Sequence, residues 1–513
     1  MLIGKNKLFL QKTIIKMKYL KLLLLLATIS LHAQSIELKW AEKIKTKGYV
    51  SILGGKNGRY YTIHKDNDDH LIGREYDSEL NFKAEKPINF NIDAKKYSYL
   101  GAYFVKDRIA HFVKENDRKA DKDILLGAFT DMSLNTSDKT LVLDEADEKA
   151  LNFGLRNISP DSTKVVVYNE LKGKKKDPST LNFKVYNSDF TNLILDKAVQ
   201  LPIKSSKFST QSIDVDNFGN VYVLAKIFKE KEEKAKGQSE FYYKLVVINK
   251  DDKAKEFDFD YPEKEIESIG VIPGANNTMI CTGFLKILNS GFFGKGKKTL
   301  ISDEMFSANI DCKTLELKSS KKYELEGLYP EKPKSNEDYV PYKVRNIFQR
   351  EDGGSVVVAE QYKLVVVTRT SQSGSYTSYY YYYCDIAIIN INSKSEVESV
   401  SKMPKYQLNA GNPSILSTYY NNKVYIIYED LEKNAEAQND KETKRSTKSL
   451  FSSSSKNALF LLTVDPSGEM KKEVIYSYKE SKIRPRILSS MVISKNEIIL
   501  NADDQIGVLK ITK

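Results

Sequence analysis

Glu351-Asp352-Gly353-Gly354-Ser355-Val356-Val357-Val358-Ala359-Glu360, followed after a Tyr-rich stretch by Asp385-Ile386-Ala387-Ile388-Ile389-Asn390-Ile391-Asn392, is the passage that decides the fold. A turn rich in Asp and Gly leads into an apolar β-branched run, and a second such run ends in another Asn turn, which is the signature of a hairpin. The same unit recurs. Ser212-Ile213-Asp214-Val215-Asp216-Asn217-Phe218-Gly219-Asn220-Val221-Tyr222-Val223-Leu224-Ala225 precedes Tyr243-Lys244-Leu245-Val246-Val247-Ile248-Asn249, and Tyr420-Asn421-Asn422-Lys423-Val424-Tyr425-Ile426-Ile427-Tyr428 precedes Ala458-Leu459-Phe460-Leu461-Leu462-Thr463-Val464-Asp465. Gly and Asn supply the positive φ that tight hairpins demand.

Aligning the runs places second strands of the unit near Arg59, Arg108, Lys164, Asn220, Thr278, Ser355, Lys423 and Glu497, at spacings of 49, 56, 56, 58, 77, 68 and 74 residues. Four strands per period of this size indicate propeller blades. The expectation is an all-β chain forming a single β-propeller of eight four-stranded blades. Seven blades with one irregular insertion, or two stacked β-sandwiches, are the alternatives. The last copy, residues 486–513, has room for only three strands, and residues 36–44 are expected to supply the missing outer strand and close the ring, which removes open sheet edges.

Composition supports a folded chain: of 513 residues 41% are hydrophobic and 29% charged, with 32 Tyr and 22 Phe, enough apolar surface to bury a core. Residues 1–33 read as a signal peptide. Lys18 and Lys21 flank Tyr19-Leu20, residues 22–29 are unbroken by charge, and Leu31-His32-Ala33-Gln34 places a small residue at the cut. The apolar stretch is too short for a stable span. Translation could begin at Met1 or Met17, and the propeller is expected over residues 34–513. The leader carries six Lys and no acid, so its removal takes the net charge from +12 to +6. With Lys and acids interleaved, that balance gives nucleic-acid binding little support. Three Cys, at 281, 312 and 384, are too few for a disulfide scaffold and are expected to be buried free thiols.

The pattern Asp352-Gly353-Gly354 with its strand, a Tyr-rich hairpin tip and Asp385-Ile386-Ala387-Ile388-Ile389-Asn390-Ile391-Asn392 resembles repeats of uncharacterised secreted β-propeller proteins of Bacteroidetes-type bacteria. The Ala33-Gln34 end of the leader is similar to theirs. The resemblance is specific over some forty residues, implies a secreted or envelope location (periplasm, cell surface or extracellular), and carries no activity with it.

Motifs for chemistry are scarce. Gly291-Phe292-Phe293-Gly294-Lys295-Gly296-Lys297-Lys298 imitates a phosphate loop but lacks the following helix and the Ser or Thr. His64 and His70 flank Asp66-Asn67-Asp68-Asp69 without the Gly and distal Glu of a calcium loop, so a solvated hairpin turn is expected there, and His111 stands alone in a strand. No metal, cofactor or catalytic residue is assigned.

The long variable segments, 115–122, 170–180, 229–240, 288–300, 369–378 and the low-complexity 430–456, all fall between second and third strands, hence on one face. Residues 355–392 form an overlong hairpin whose outer half carries Tyr362, Tyr376, Tyr379, Tyr380, Tyr381, Tyr382 and Tyr383. Alternation puts Tyr379, Tyr381 and Tyr383 on one side and Tyr380 and Tyr382 on the other. Tyr suits recognition of proteins or sugar rings, so these seven are the candidate binding residues. The leading expectation is an exported, non-enzymatic propeller that binds or scaffolds an envelope protein or glycan. The alternative is a periplasmic hydrolase or lyase acting on polysaccharide or peptide.

Overall fold

Runs such as 356–359 are apolar without alternation because their strand is covered on both faces. In the computed structural model Val356 and Val358 pack toward one neighbouring sheet, with Ile426 and Leu462, while Val357 and Ala359 pack toward the other, with Phe284 and Met305. The structure describes residues 35–512 except 47–49, 91, 93–96, 118, 138, 148, 175, 234–237, 250–253, 262, 275, 289–298, 329–339, 372–373, 409–413, 440 and 446–455. The leader 1–33 and the phosphate-loop imitation at 291–298 therefore lie outside the described residues.

Eight antiparallel sheets follow one another along the chain. Blade 1 consists of Ser51–Lys56, Arg59–Lys65, Leu71–Tyr76 and Phe82–Pro87; blades 2 to 5 begin at Tyr97, Leu151, Phe208 and Lys264; blade 6 consists of Tyr342–Gln349, Ser355–Ser371, Gly374–Ile391 and Val397–Met403; blade 7 begins at Ile415; and blade 8 consists of Met491–Ser494, Glu497–Asn501 and Ile506–Thr512. Each blade touches the next, and blade 8 touches blade 1. Eight apolar cores fill the eight interfaces, one between each pair, the last joining Ile499 and Val508 to Val50, Tyr60 and Tyr76. This is a ring of eight blades, and the seven-bladed and sandwich alternatives fall with it.

Ser35–Trp40 lies antiparallel to Ile506–Thr512, Ser35 opposite Thr512 and Trp40 opposite Gly507, as the fourth strand of blade 8. The strand, Ser35–Trp40, stops short of the expected 36–44, although Ala41 N and Ile44 N still donate to the carbonyls of Ile506 (2.8 Å) and Asp504 (2.6 Å).

The turns share one device. Asp66, Asp77, Asp131, Asp216 and Asn392 each accept, on one side-chain oxygen, the backbone N–H groups two and four residues ahead, at 2.8–3.0 Å. The fourth residue of each turn, Asp69, Leu80, Leu134, Gly219 and Ser395, takes a φ between 59° and 86°, and only in the 216 turn does Gly fill it. The carboxylate or amide holds the loop in the conformation that reverses the chain. Cys281, Cys312 and Cys384 are free and buried. No helix among the described residues is long and apolar enough to cross a membrane.

Candidate functional site: the aromatic ribbon of blade 6

In a four-stranded antiparallel blade the second-to-third hairpin and the linker from the previous blade emerge on the same face. Contacts between them bear this out: Ser205 Oγ in the linker after blade 3 donates to the carbonyl of Gly173 at 3.0 Å, and Lys204 pairs with Glu230 at 2.7 Å. The two longest strands among the described residues run out on this face from blade 6.

Its second and third strands, of 17 and 18 residues, stay in register from Ser355 opposite Ile391 to Ser371 opposite Gly374, with one bulge between Glu360 and Tyr362. The inner strand leaves the pair at Gln361 and the outer strand at Ile386, with Gln407–Leu408 adding two residues opposite Tyr383 and Tyr382. Beyond Lys363 and Tyr382 the hairpin is a bare two-stranded ribbon, roughly 26 Å long at ~3.3 Å per residue. Thr368 with Thr377 (3.1 Å) and Thr370 with Ser375 (2.9 Å) form hydroxyl pairs across it.

Register fixes the faces. Leu364, Val366 and Thr368 stand opposite Tyr381, Tyr379 and Thr377, whereas Lys363, Val365, Val367 and Arg369 stand opposite Tyr382, Tyr380, Ser378 and Tyr376. The first face carries no charge, yet Leu364, Val366, Tyr379 and Tyr381 are 42%, 51%, 54% and 37% exposed. The second face holds both cations; its Val365, Val367, Tyr380 and Tyr382 are half-buried while Arg369 and Tyr376 nearer the tip are exposed, Tyr376 at 53%, and Tyr382 lies against the ring of Tyr406 at 6.0 Å with Arg445 over Tyr406.

Two of the seven candidate tyrosines belong to the root instead of the ribbon. Tyr383 is 1% exposed, which corrects its placement with the outer half, and burial pushes its phenol up to about 12. Its ring meets that of Tyr362, half-buried, at 5.2 Å, and the Arg345 guanidinium lies 5.7 and 5.8 Å from the two. Beneath them sits a buried polar cluster that no sequence motif announced. Glu360 accepts from Arg345 Nε at 2.8 Å and from Lys405 Nζ at 2.5 Å. Lys405 also donates to Gln407 Oε1 at 2.7 Å and Ser414 Oγ at 3.0 Å, while Ser414 donates to Glu360. All three ammonium hydrogens are thus occupied, leaving no lone pair with which Lys405 could activate Ser414 as a nucleophile. The cluster clamps the ribbon's base.

The low-complexity segment is ordered at its start: Glu432–Asn434 form a short 3-10 turn, and buried Asn434 bridges Asp430 Oδ2 (3.1 Å) and both backbone groups of Lys444 (2.8 and 3.0 Å). Residues 446–455 lie outside the described residues. His111 is a satisfied core residue, between Tyr99 Oη at 3.1 Å and Thr130 Oγ1 at 3.0 Å, and burial pushes it down to about 3. At the blade 1 hairpin, one carboxylate oxygen each from Asp66 and Asp68 and a ring nitrogen of His70 lie within 4.8 Å of one another.

No family model and no curated protein matches this chain. Among solved structures it is similar to the β-propeller domain of the Trilobed protease from Pyrococcus furiosus, at 10% identity and a TM-score of 0.34, covering 85% of this chain and 95% of that one. It is also similar to prolyl oligopeptidase B from Galerina marginata, at 8% identity and a TM-score of 0.33, covering 82% and 56%. A third, the acylaminoacyl peptidase of Pyrococcus horikoshii, matches at 10% identity and a TM-score of 0.28, covering 67% and 59%.

Proposed function

We propose that this chain is an exported, non-enzymatic propeller that binds or scaffolds a protein or glycan at the cell envelope, using the blade 6 ribbon as its contact element. One observation carries the reading: the ribbon has an uncharged face, built of Leu364, Val366, Tyr379 and Tyr381, that is left exposed. Exposed contiguous apolar and aromatic surface marks recognition sites, and Tyr is favoured at interfaces where charged groups are depleted. The clamp at Glu360, Lys405 and Arg345 supports it, because a preorganised element gives up less entropy on binding. Export rests on the leader's three-part composition, which N-terminal sequencing of the secreted or periplasmic fraction tests: a chain that retains Lys18 and Lys21 refutes cleavage at Ala33.

The binding reading is tested with two double variants, Tyr379→Ser/Tyr381→Ser and Tyr380→Ser/Tyr382→Ser, in pull-downs from envelope extract with melting curves in parallel. Loss of capture in the first at an unchanged Tm supports the assignment. A large fall in Tm in the first pair shows that the rings stabilise the ribbon instead.

A further inference from the structure

We propose that the returning strand of the blade 6 ribbon accepts, along its outer edge at residues 375–380, an extended polypeptide strand of a partner protein in which acidic residues alternate with apolar ones. The proposal rests on the ribbon's role as the contact element and narrows the partner from a protein or glycan to a β-strand. A strand edge is a row of N–H and C=O groups whose spacing another extended backbone matches and a sugar chain does not. Strand addition of this kind draws affinity from backbone hydrogen bonds and specificity from the alternating side chains.

The fold already pairs this edge once. From the root outward, the edge of Gly374–Ile391 is taken by Val397–Met403 opposite Ile386–Ile391 and then by Gln407–Leu408, antiparallel, opposite Tyr383 and Tyr382. Among the described residues no strand follows opposite 375–380. An incoming strand running in the direction of Gln407–Leu408 continues that ladder toward the tip. The other edge of the ribbon is guarded: the leading strand carries Lys363 and Arg369, and charge on an edge discourages stray pairing. Residues 375–380 are Ser, Tyr, Thr, Ser, Tyr and Tyr, with neither charge nor proline, and no register shift falls beyond Tyr362. Aromatic and hydroxyl side chains are the ones that favour cross-strand pairs.

Charge selects the occupant. Tyr376, Ser378 and Tyr380 stand opposite Arg369, Val367 and Val365. Arg369 is exposed and its Nη1 lies 3.5 Å from Tyr376 Oη, so its guanidinium is directed to the returning strand, beside which the added strand would lie. On the opposite face Thr377 and Tyr379 stand opposite Thr368 and Val366, without charge. The added strand is therefore acidic toward the Arg369 face and apolar toward the other. A second copy is a poorer match. Antiparallel strands related by a two-fold axis keep each face on its own side, which would set Lys363 and Arg369 of both copies on one side of a single sheet.

The test uses the full chain and synthetic peptides of about eight residues: one alternating valine with glutamate, one alternating valine with lysine, and the first N-methylated throughout. The valine–glutamate peptide should bind one per chain by fluorescence anisotropy and slow amide exchange at 375–380 by about tenfold or more. The valine–lysine peptide should bind at least about tenfold more weakly, and Arg369→Glu, at an exposed position, should reverse that order. The proposal is overturned if the valine–glutamate peptide does not bind up to millimolar concentration, if bound peptide leaves exchange at 375–380 unchanged, if the N-methylated peptide binds equally, or if Arg369→Glu keeps the original preference. A chain that dimerises in sedimentation velocity and protects 375–380 without peptide assigns the edge to a second copy, which also overturns it. Loss of envelope capture in Tyr379→Ser/Tyr381→Ser with no protection of the edge by peptide refutes strand addition and leaves the neutral face as the contact. Edge protection with capture unchanged in that pair refutes the neutral-face reading instead.

Discussion

Asp430→Asn should make the protein more stable as pH rises, relative to the unaltered chain. Asp430 lies one residue before the end of the second strand of blade 7, is 2% exposed, and among the described residues accepts only from Leu431 N at 2.7 Å and Asn434 Nδ2 at 3.1 Å. The nearby cations are engaged elsewhere: Lys405 with Glu360, Gln407 and Ser414, and Lys472 with the carbonyls of Asn434 (2.7 Å) and Ala437 (2.5 Å). Desolvation therefore dominates and pushes Asp430 from its ordinary 3.8 up to about 7. A folded-state pKa above the unfolded one means that the folded chain keeps a proton the unfolded chain releases, so stability is lost between pH ~4 and ~7 and is level above that. At 1.36 kcal/mol per pKa unit the loss is about 4 kcal/mol. Asn carries no charge at any pH and escapes it, after a constant penalty of ~1 kcal/mol for setting two amide donors against each other. With an unfolding entropy of roughly 2.1 cal/mol/K per residue, 4 kcal/mol corresponds to about 4 °C in Tm for a chain of this length. Scanning calorimetry at pH 4.5, 6.0 and 7.5 should show the difference between variant and unaltered chain growing by that amount. A difference independent of pH would refute the reasoning, because the many other buried groups are common to both proteins and cancel.

Glu360→Gln leaves Arg345 and Lys405 buried beside a neutral amide and should cost about 3–5 kcal/mol, read as a Tm several degrees lower; a neutral result would mean that water enters the ribbon's root. Removing residues 34–46 deletes a six-residue ladder along with Ile36, Leu38 and Trp40 from the blade 7–8 core and Ala41 and Ile44 from the blade 8–1 core, so the whole ring should melt earlier in a single transition; a melt like that of the full chain refutes this. Asn434→Ala removes the bridge between Asp430 and Lys444 and should speed limited proteolysis near residues 432–445 with little change in Tm, whereas an unchanged cleavage pattern would show that Lys472 alone holds the segment.

The blade frame was legible because its signature is local. A central strand buried on both faces must be a continuous apolar run, and the turn before it must reverse the chain, so the two mark each blade once. The second strands start at Arg59, Arg108, Lys164, Val221, Thr278, Ser355, Lys423 and Glu497, within a residue of the expected positions. The root cluster was not legible, since Glu360, Lys405, Arg345 and Ser414 come together only through the ring. Its single local sign is a Glu placed directly after 356–359, where an apolar run would ordinarily continue into the core.

The two-residue alternation of a strand is enough to assign Tyr379 and Tyr381 to one face and Tyr380 and Tyr382 to the other, and the register agrees. Alternation cannot say which face water sees. That depends on the linker after blade 6, where Tyr406 meets Tyr382 and draws the face bearing Lys363 and Arg369 inward at its base. The base of the Lys363 face is thereby covered, while Arg369 and Tyr376 further out on it stay exposed, and Leu364 and Val366 on the neutral face are left to solvent, which costs about 25 cal/mol for every Å² of apolar surface left wet. Exchanging the two faces would wet Val365 and Val367 in place of Leu364 and Val366, so the faces differ in charge and not in aliphatic content. A bound surface that covers the neutral face recovers the loss, which is why the ribbon's polarity, more than its tyrosine count, argues for a partner.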